Sequence, residues 1–254
     1  MRVLLTNDDG IDAGGIYALY REIRKIAEVS IVAPHTQQSA VGHAITIFSP
    51  LRVTEIFRKG KFYGYAVNGT PADCVKIAVR ALLKKRPDIV ISGINLGPNL
   101  GTDVMYSGTV SAATEAAILG IPSLAVSLTT YGKSDFAYAA GFTRRLCALV
   151  KKHGLPPDTL LNVNIPAVPA KKIRGIAVTR QGKSRYLENF DRRVDPRGKT
   201  YYWLSGERIK QEEDDNEDIQ AVRKNLVSIT PLGLNLTRDD FLRELKNLLE
   251  RGRF

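Results

Sequence analysis

Along the first two thirds of the chain, hydrophobic and polar positions switch between two periods. Val3 to Thr6 is a short apolar run. Gly15 to Ala27 then places Ile16, Leu19, Tyr20, Ile23 and Ile26 on one helical face. Val29 to Ala33 predicts a second strand, followed by a polar loop from His35 to Gly42. Leu51 to Ile56 and Phe62 to Val67 predict paired strands turning at Lys59-Gly60-Lys61. Thr70-Pro71-Ala72-Asp73 has the chemistry of a helix start: Thr70 can cap, Pro71 suits the first helical position and Asp73 can complete a capping box. Further on, Asp88 to Ser92, Ser123 to Leu128 and Leu160 to Ile165 predict strands, Ser107 to Leu119 and Asp135 to His153 predict helices, and a glycine-bearing loop runs from Gly93 to Tyr106. Short strands alternating with helices predict an α/β fold, a mainly parallel sheet with helices on both faces.

After Arg174 the pattern changes. Gln181 to Val222 carries Tyr186, Phe190, Tyr201, Tyr202 and Trp203 without a helical period, which predicts a β-hairpin excursion. The Tyr-Tyr-Trp cluster needs something to bury it, such as a second subunit. Val227 to Pro231 predicts a returning strand. Thr237 is then read as the cap of a terminal helix with Phe241, Leu242, Leu245, Leu248 and Leu249 inward. The expected organisation is a core over residues 1–180, with the hairpin, returning strand and C-terminal helix over 181–254 given to oligomerisation.

Composition narrows the class. The 254 residues, 44% hydrophobic and 25% charged, suit one large globular domain or a domain carrying an excursion. No apolar run reaches the length of a membrane span, and Met1-Arg2-Val3-Leu4-Leu5 breaks at Thr6-Asn7-Asp8, too soon for a signal peptide. Two cysteines, Cys74 and Cys147, lie in apolar helical patterns, so a reduced, cytoplasmic protein is expected. The net charge of +11 suggests anionic partners. The basic residues are scattered, however, densest from Lys171 to Lys199, and the acidic run Glu212-Glu213-Asp214-Asp215 follows them. That counts against a continuous nucleic-acid stripe.

Three loops follow predicted parallel strands, and ligands of open α/β sheets bind at such strand ends. The first is Asn7-Asp8-Asp9-Gly10. Carboxylates about 4 Å apart repel by roughly 4 kcal/mol at an effective dielectric of ~20, and a divalent cation would reverse the sign. Taken alone, Asp-Asp-Gly is more often a solvated turn. The second loop holds Ser39, and the third runs from Ser92 through Asn95 and Asn99 to Gly101. Together they offer an all-oxygen donor set suited to Mg²⁺ or Mn²⁺ rather than zinc. Tyr106-Ser107-Gly108-Thr109 then opens a helix whose free N–H groups and dipole can cradle a phosphate, although Ser107 as a plain cap fits the local sequence equally well. Gly10, Gly14 and Gly15 do not form a dinucleotide-binding G-x-G-x-x-G, and there is no Walker sequence and no G-x-S-x-G.

At these residues the chain resembles the SurE family. The likeness is carried by Leu4-Leu5-Thr6-Asn7-Asp8-Asp9-Gly10, Asn68-Gly69-Thr70-Pro71-Ala72-Asp73-Cys74-Val75, Ser92-Gly93-Ile94-Asn95 through Gly101, and Tyr106-Ser107-Gly108-Thr109-Val110. Val178-Thr179-Arg180, Asp195-Pro196-Arg197-Gly198 and Ser228-Ile229-Thr230-Pro231-Leu232 extend it over nearly the whole chain. The resemblance implies a Rossmann-like core and one divalent cation per subunit, Mg²⁺ or Mn²⁺, on Asp8, Asp9, Ser39 and Asn95. It also implies phosphate near Asn99, Ser107, Gly108 and Thr109, and a C-terminal hairpin exchanged between subunits in a homodimer or tetramer. The implied activity is release of phosphate from nucleoside 5'- and 3'-monophosphates, with short polyphosphate trimmed by some members.

The expected mechanism is attack by metal-activated water, Asp8 and Asp9 acting through the metal; an aspartyl-phosphate is the alternative. The chain departs from the family pattern at Gly14, where many relatives have Pro, at Ala40, where many have Gly, and at Asn235, where many have Asp. The last leaves the general acid unassigned, with His35 and His43 of the Ser39 loop as alternatives. Two rival classes are a nucleotide-sensing module without turnover and a basic RNA-binding protein.

Overall fold

The computed structural model describes residues 1–132, 134–183, 186–208 and 214–252; Glu212 and Glu213 of the acidic run lie outside them. β1 (Arg2–Thr6) leads through the acidic turn to α1 (Gly14–Ile23), β2 (Glu28–Pro34), the hairpin of β3 (Val53–Arg58) and β4 (Lys61–Val67), and α2 (Pro71–Ile77). Then come β5 (Ile89–Leu96), α3 (Gly108–Ile118), β6 (Ser123–Leu128), α4 (Ala137–His153), β7 (Thr159–Ile165) and β8 (Gly175–Val178). A second hairpin, β9 (Tyr186–Val194) and β10 (Thr200–Arg208), precedes α5 (Asp218–Arg223), β11 (Leu226–Gly233) and α6 (Asp239–Gly252).

One nine-stranded sheet has the order β3-β4-β2-β1-β5-β6-β7-β11-β8. Neighbours from β4 to β7 are all parallel, while β3 and β11 join their inner neighbours antiparallel. Strand side chains alternate between faces, and here both faces are buried. Val3 and Leu5 pack with Ile16, Leu19 and Ile23 of α1 and with Leu146 and Val150 of α4. Leu4, between them, packs with Cys74 and Val75 of α2 and Ala112 and Ala116 of α3. Burying each such leucine or isoleucine contributes roughly 1.5–3 kcal/mol. Cys74 and Cys147 are free, buried thiols in these two separate clusters. The expected α/β architecture, its parallel sheet and its C-terminal hairpin are all present.

Five details differ from the sequence expectation. α1 ends at Ile23 instead of running to Ala27, and Ile26, expected on its apolar face, is exposed. β5 does not stop at Ser92; it continues to Leu96 through a register shift between Ser92 and Asn95. Gly93, at φ +135°, makes this possible, since a Cβ there would stand 2.3 Å from the Val126 carbonyl oxygen. β8 and α5 carry too short a pattern to be foreseen. Thr237 stands two residues before the first helical residue of α6, and its N–H donates to Asn235 Oδ1. The apolar stripe of α6 is not inward: Phe241, Leu242, Leu245, Leu248 and Leu249 are all exposed in the single chain. Among the described residues no helix is long and apolar enough to cross a membrane.

Candidate active site

β1 and β5 are neighbours in the sheet, yet the chain leaves β1 toward β2 on one side and returns to β5 on the other. The carboxyl ends of two such strands diverge and open a crevice. Asp8 and Asp9 follow β1, Asn95 closes β5, and the Leu96 N–H donates to Asp9 Oδ2 across the gap at 3.2 Å.

Asp8 is turned toward the start of α3. Its Oδ1 accepts the Thr109 hydroxyl at 2.5 Å, and its Oδ2 accepts the Thr109 N–H at 3.1 Å. Gly108 is pressed against it: a Cβ there would lie 2.8 Å from Asp8 Cβ and 3.1 Å from both Asp8 Oδ2 and the Gln38 carbonyl oxygen. Burial raises the Asp8 pKa to about 6; the Thr109 hydroxyl opposes that rise and the Asp9 charge adds to it. Burial also raises Asp9, against the Leu96 N–H.

The loop after β2 is tied to the same place. Gln38 N–H donates to the Asp8 carbonyl at 2.7 Å, and Gly42 N–H to the Tyr106 carbonyl at 3.0 Å, which fastens the Ser39 segment to both the acidic turn and the helix start. Ser39 itself is exposed and accepts from Gln37 Nε2. Farther along, Thr46 donates its N–H and hydroxyl to Asp73, whose Oδ2 also accepts the Thr70 N–H, so the expected capping box of α2 doubles as a loop anchor. Of the loop histidines, His35 is exposed, while His43 Nε2 lies 3.1 Å from Glu115 Oε2 on α3. Lys76 Nζ stands 2.7 Å from the other Glu115 oxygen. Burial pushes the Glu115 pKa up, but the bonds and charges of His43 and Lys76 prevail and hold it below the ordinary glutamate value.

Asn99 is fixed from behind by β7. Asn164 takes the Asn99 N–H on Oδ1 and gives Nδ2 to the Asn99 carbonyl, which Asn162 Nδ2 also reaches; Asn99 Nδ2 donates to Ser127. Ser107 caps α3 by accepting the Val110 N–H. Thr109, expected among the phosphate donors, directs both its donors at Asp8. Asn162, Asn164, Glu115 and the Thr46–Asp73 pair were not singled out from sequence. A signal existed for the asparagines, since Asn162-Val163-Asn164 puts two amides on one face of an otherwise apolar strand.

The donor set suits a hard cation. Asn7 is fully buried and its Oδ1 has no hydrogen-bond partner, while Asn95 commits Nδ2 to the Gly97 carbonyl and keeps its oxygen. Two carboxylates held above their ordinary pKa by burial complete an all-oxygen set that positive charge would stabilise. Among the described residues no three of His, Cys, Asp and Glu gather as a metal group, so a cation held here would take its remaining ligands from neutral oxygens.

Comparison with known proteins shows the family. The family model described as Survival protein SurE matches residues 3–188. A 5'-nucleotidase SurE of Syntrophobacter fumaroxidans is 51% identical, covering 95% of this chain and 97% of its own. Another, of Syntrophus aciditrophicus, is 52% identical over 99% and 95%. The crystal structure of the SurE protein from Aquifex aeolicus superposes with a TM-score of 0.84 at 42% identity, covering 98% of this chain and 99% of that one.

Proposed function

Because the chain belongs to the SurE family, we propose that it is a nucleotidase, a phosphomonoesterase that hydrolyses nucleoside 5'- and 3'-monophosphates and trims short polyphosphate. The observation that carries this is the bond between Asp8 and the start of α3. It joins an anionic turn to a helix terminus, a feature suited to phosphate, at one switch point of the sheet.

The proposed cation, Mg²⁺ or Mn²⁺ at one per subunit, is held by Asp8, Asp9, Ser39 and Asn95; when bound it supplies positive charge to the phosphoryl oxygens and makes water a better nucleophile. The chain's own groups do the rest. Ser107, the Gly108 N–H and Asn99 hold the phosphate, with the helix dipole behind them. Thr109 acts beside them by holding Asp8 in place. Asn162 and Asn164 keep Asn99 from moving. Asp8 and Asp9 serve as anionic ligands rather than nucleophiles, since the other ligands are neutral. Residues 181–254 are proposed to assemble the homodimer or tetramer by hairpin exchange. Tyr201, Tyr202, Trp203 and Leu204 of β10 are exposed in the single chain, as is the α6 stripe, which supports this assignment.

A panel of nucleoside monophosphates, assayed with and without Mg²⁺ or Mn²⁺, tests the proposal. Phosphate release should require the cation, stop with chelator and be lost in Asp9→Asn. Nucleotide binding without turnover would leave a sensing module instead. A phosphate burst equal to enzyme, with a trapped acyl-phosphate, would replace the water mechanism by an aspartyl intermediate.

A further inference from the structure

On the α1 side of the β3–β4 hairpin lies a cleft of about 570 Å³ that no candidate active-site residue lines. Its cations are Arg24, Arg58, Lys59 and Lys61, and no aspartate or glutamate lines it. Arg58 is already engaged: its Nη2 lies 3.0 Å from Asp12 Oδ1, and its guanidinium sits 4.1 Å over the Tyr63 ring. Arg24, Lys59 and Lys61 are exposed and have no acidic partner among the described residues. Three such cations around one concavity favour a polyanion.

The walls add a second kind of chemistry. Tyr17 and Phe62 are 43% and 49% exposed; Arg58 sits 5.2 Å over the Tyr17 ring and Phe62 meets Phe57 and Tyr65 edge to face, so each ring has exposed surface left for a planar group. Tyr63 is only 6% exposed, yet its hydroxyl has no hydrogen-bond partner. Arg58 also reaches the Ile11 carbonyl, which links the cleft to the segment just after the acidic turn.

We propose that this cleft is a second, non-catalytic nucleotide site, taking a nucleoside polyphosphate with its base on Tyr17 and Phe62 and its phosphates on Arg24, Lys59 and Lys61. Calorimetric titration of the full chain with ATP in the presence of chelator tests it. Wild type and Asp9→Asn should bind ATP alike. Lys59→Glu/Lys61→Glu should weaken binding by about tenfold or more, as two reversed charges near a polyanion require. Phe62→Ala should weaken it about fivefold through lost stacking, and tripolyphosphate should bind less tightly than ATP. Unchanged melting temperatures and unchanged phosphate release would show both variants intact. ATP affinity unaltered by the lysine reversals, or abolished by Asp9→Asn, would overturn the site. Equal affinity for tripolyphosphate would overturn the role of the rings.

Discussion

The Thr109 hydroxyl donates to Asp8 Oδ1 at 2.5 Å, joining residues 101 positions apart and fixing the direction of a carboxylate that burial would rather neutralise. The helix start therefore acts on the acid itself. Partial positive charge from α3 converges on the same carboxylate that the proposed cation would use.

The sign of the resulting pH dependence follows from Asp8. Its folded pKa of about 6 lies above the ordinary 3.8. Folding is therefore disfavoured by this group above pH 6, progressively less so down to 3.8, and not at all below. Converting the shift gives at most about 3 kcal/mol. Without divalent cation, Asp8→Asn should stabilise the protein by about 1–2 kcal/mol at pH 8 and lose that advantage at pH 4. Urea midpoints at the two pH values check it; equal effects at both would show that Asp8 is not strained by burial.

Gly108→Ala tests the contact between helix and acid. In most helices this change stabilises by up to about 1 kcal/mol. Here the new Cβ would press on Asp8 and the Gln38 carbonyl. Phosphate release should fall by more than about tenfold, equivalent to about 1.4 kcal/mol, while the circular dichroism spectrum stays unchanged. Wild-type turnover would mean that the acidic turn can move without consequence.

Asn164→Leu removes two of the bonds that hold the Asn99 backbone. The expected outcome is a KM raised about tenfold with a smaller change in kcat, as for lost uniform binding. If kcat alone falls, Asn99 acts on the transition state rather than on ground-state phosphate.

Leu245→Glu/Leu249→Glu reverses the character of the exposed α6 stripe. If that stripe meets another subunit, sedimentation should show a smaller species than wild type, with thermal stability lowered. A monomeric wild type, or an assembly indifferent to the change, would remove the oligomeric role.

Sequence legibility followed physical scale. Parallel strands with side chains buried on both faces stood out as apolar runs, and the Thr70–Asp73 box was readable because its partners are three residues apart. The acidic turn and the α3 start were legible as pieces. Their bond was not, since local pattern says nothing about where Thr109 aims its hydroxyl. Gly93 suggested a loop because a bulge and a loop use the same residue. The α6 stripe gave its period correctly, but a period reports that one face is apolar, not which body covers it.

Asp73 has a last consequence. One carboxylate receives Thr70, the N-cap of α2, and Thr46 from the segment beyond Ser39. Fraying at either end releases the other, so the two should open as a single cooperative unit. In native-state hydrogen exchange the amides of Thr46 and Thr70 should then share one opening free energy.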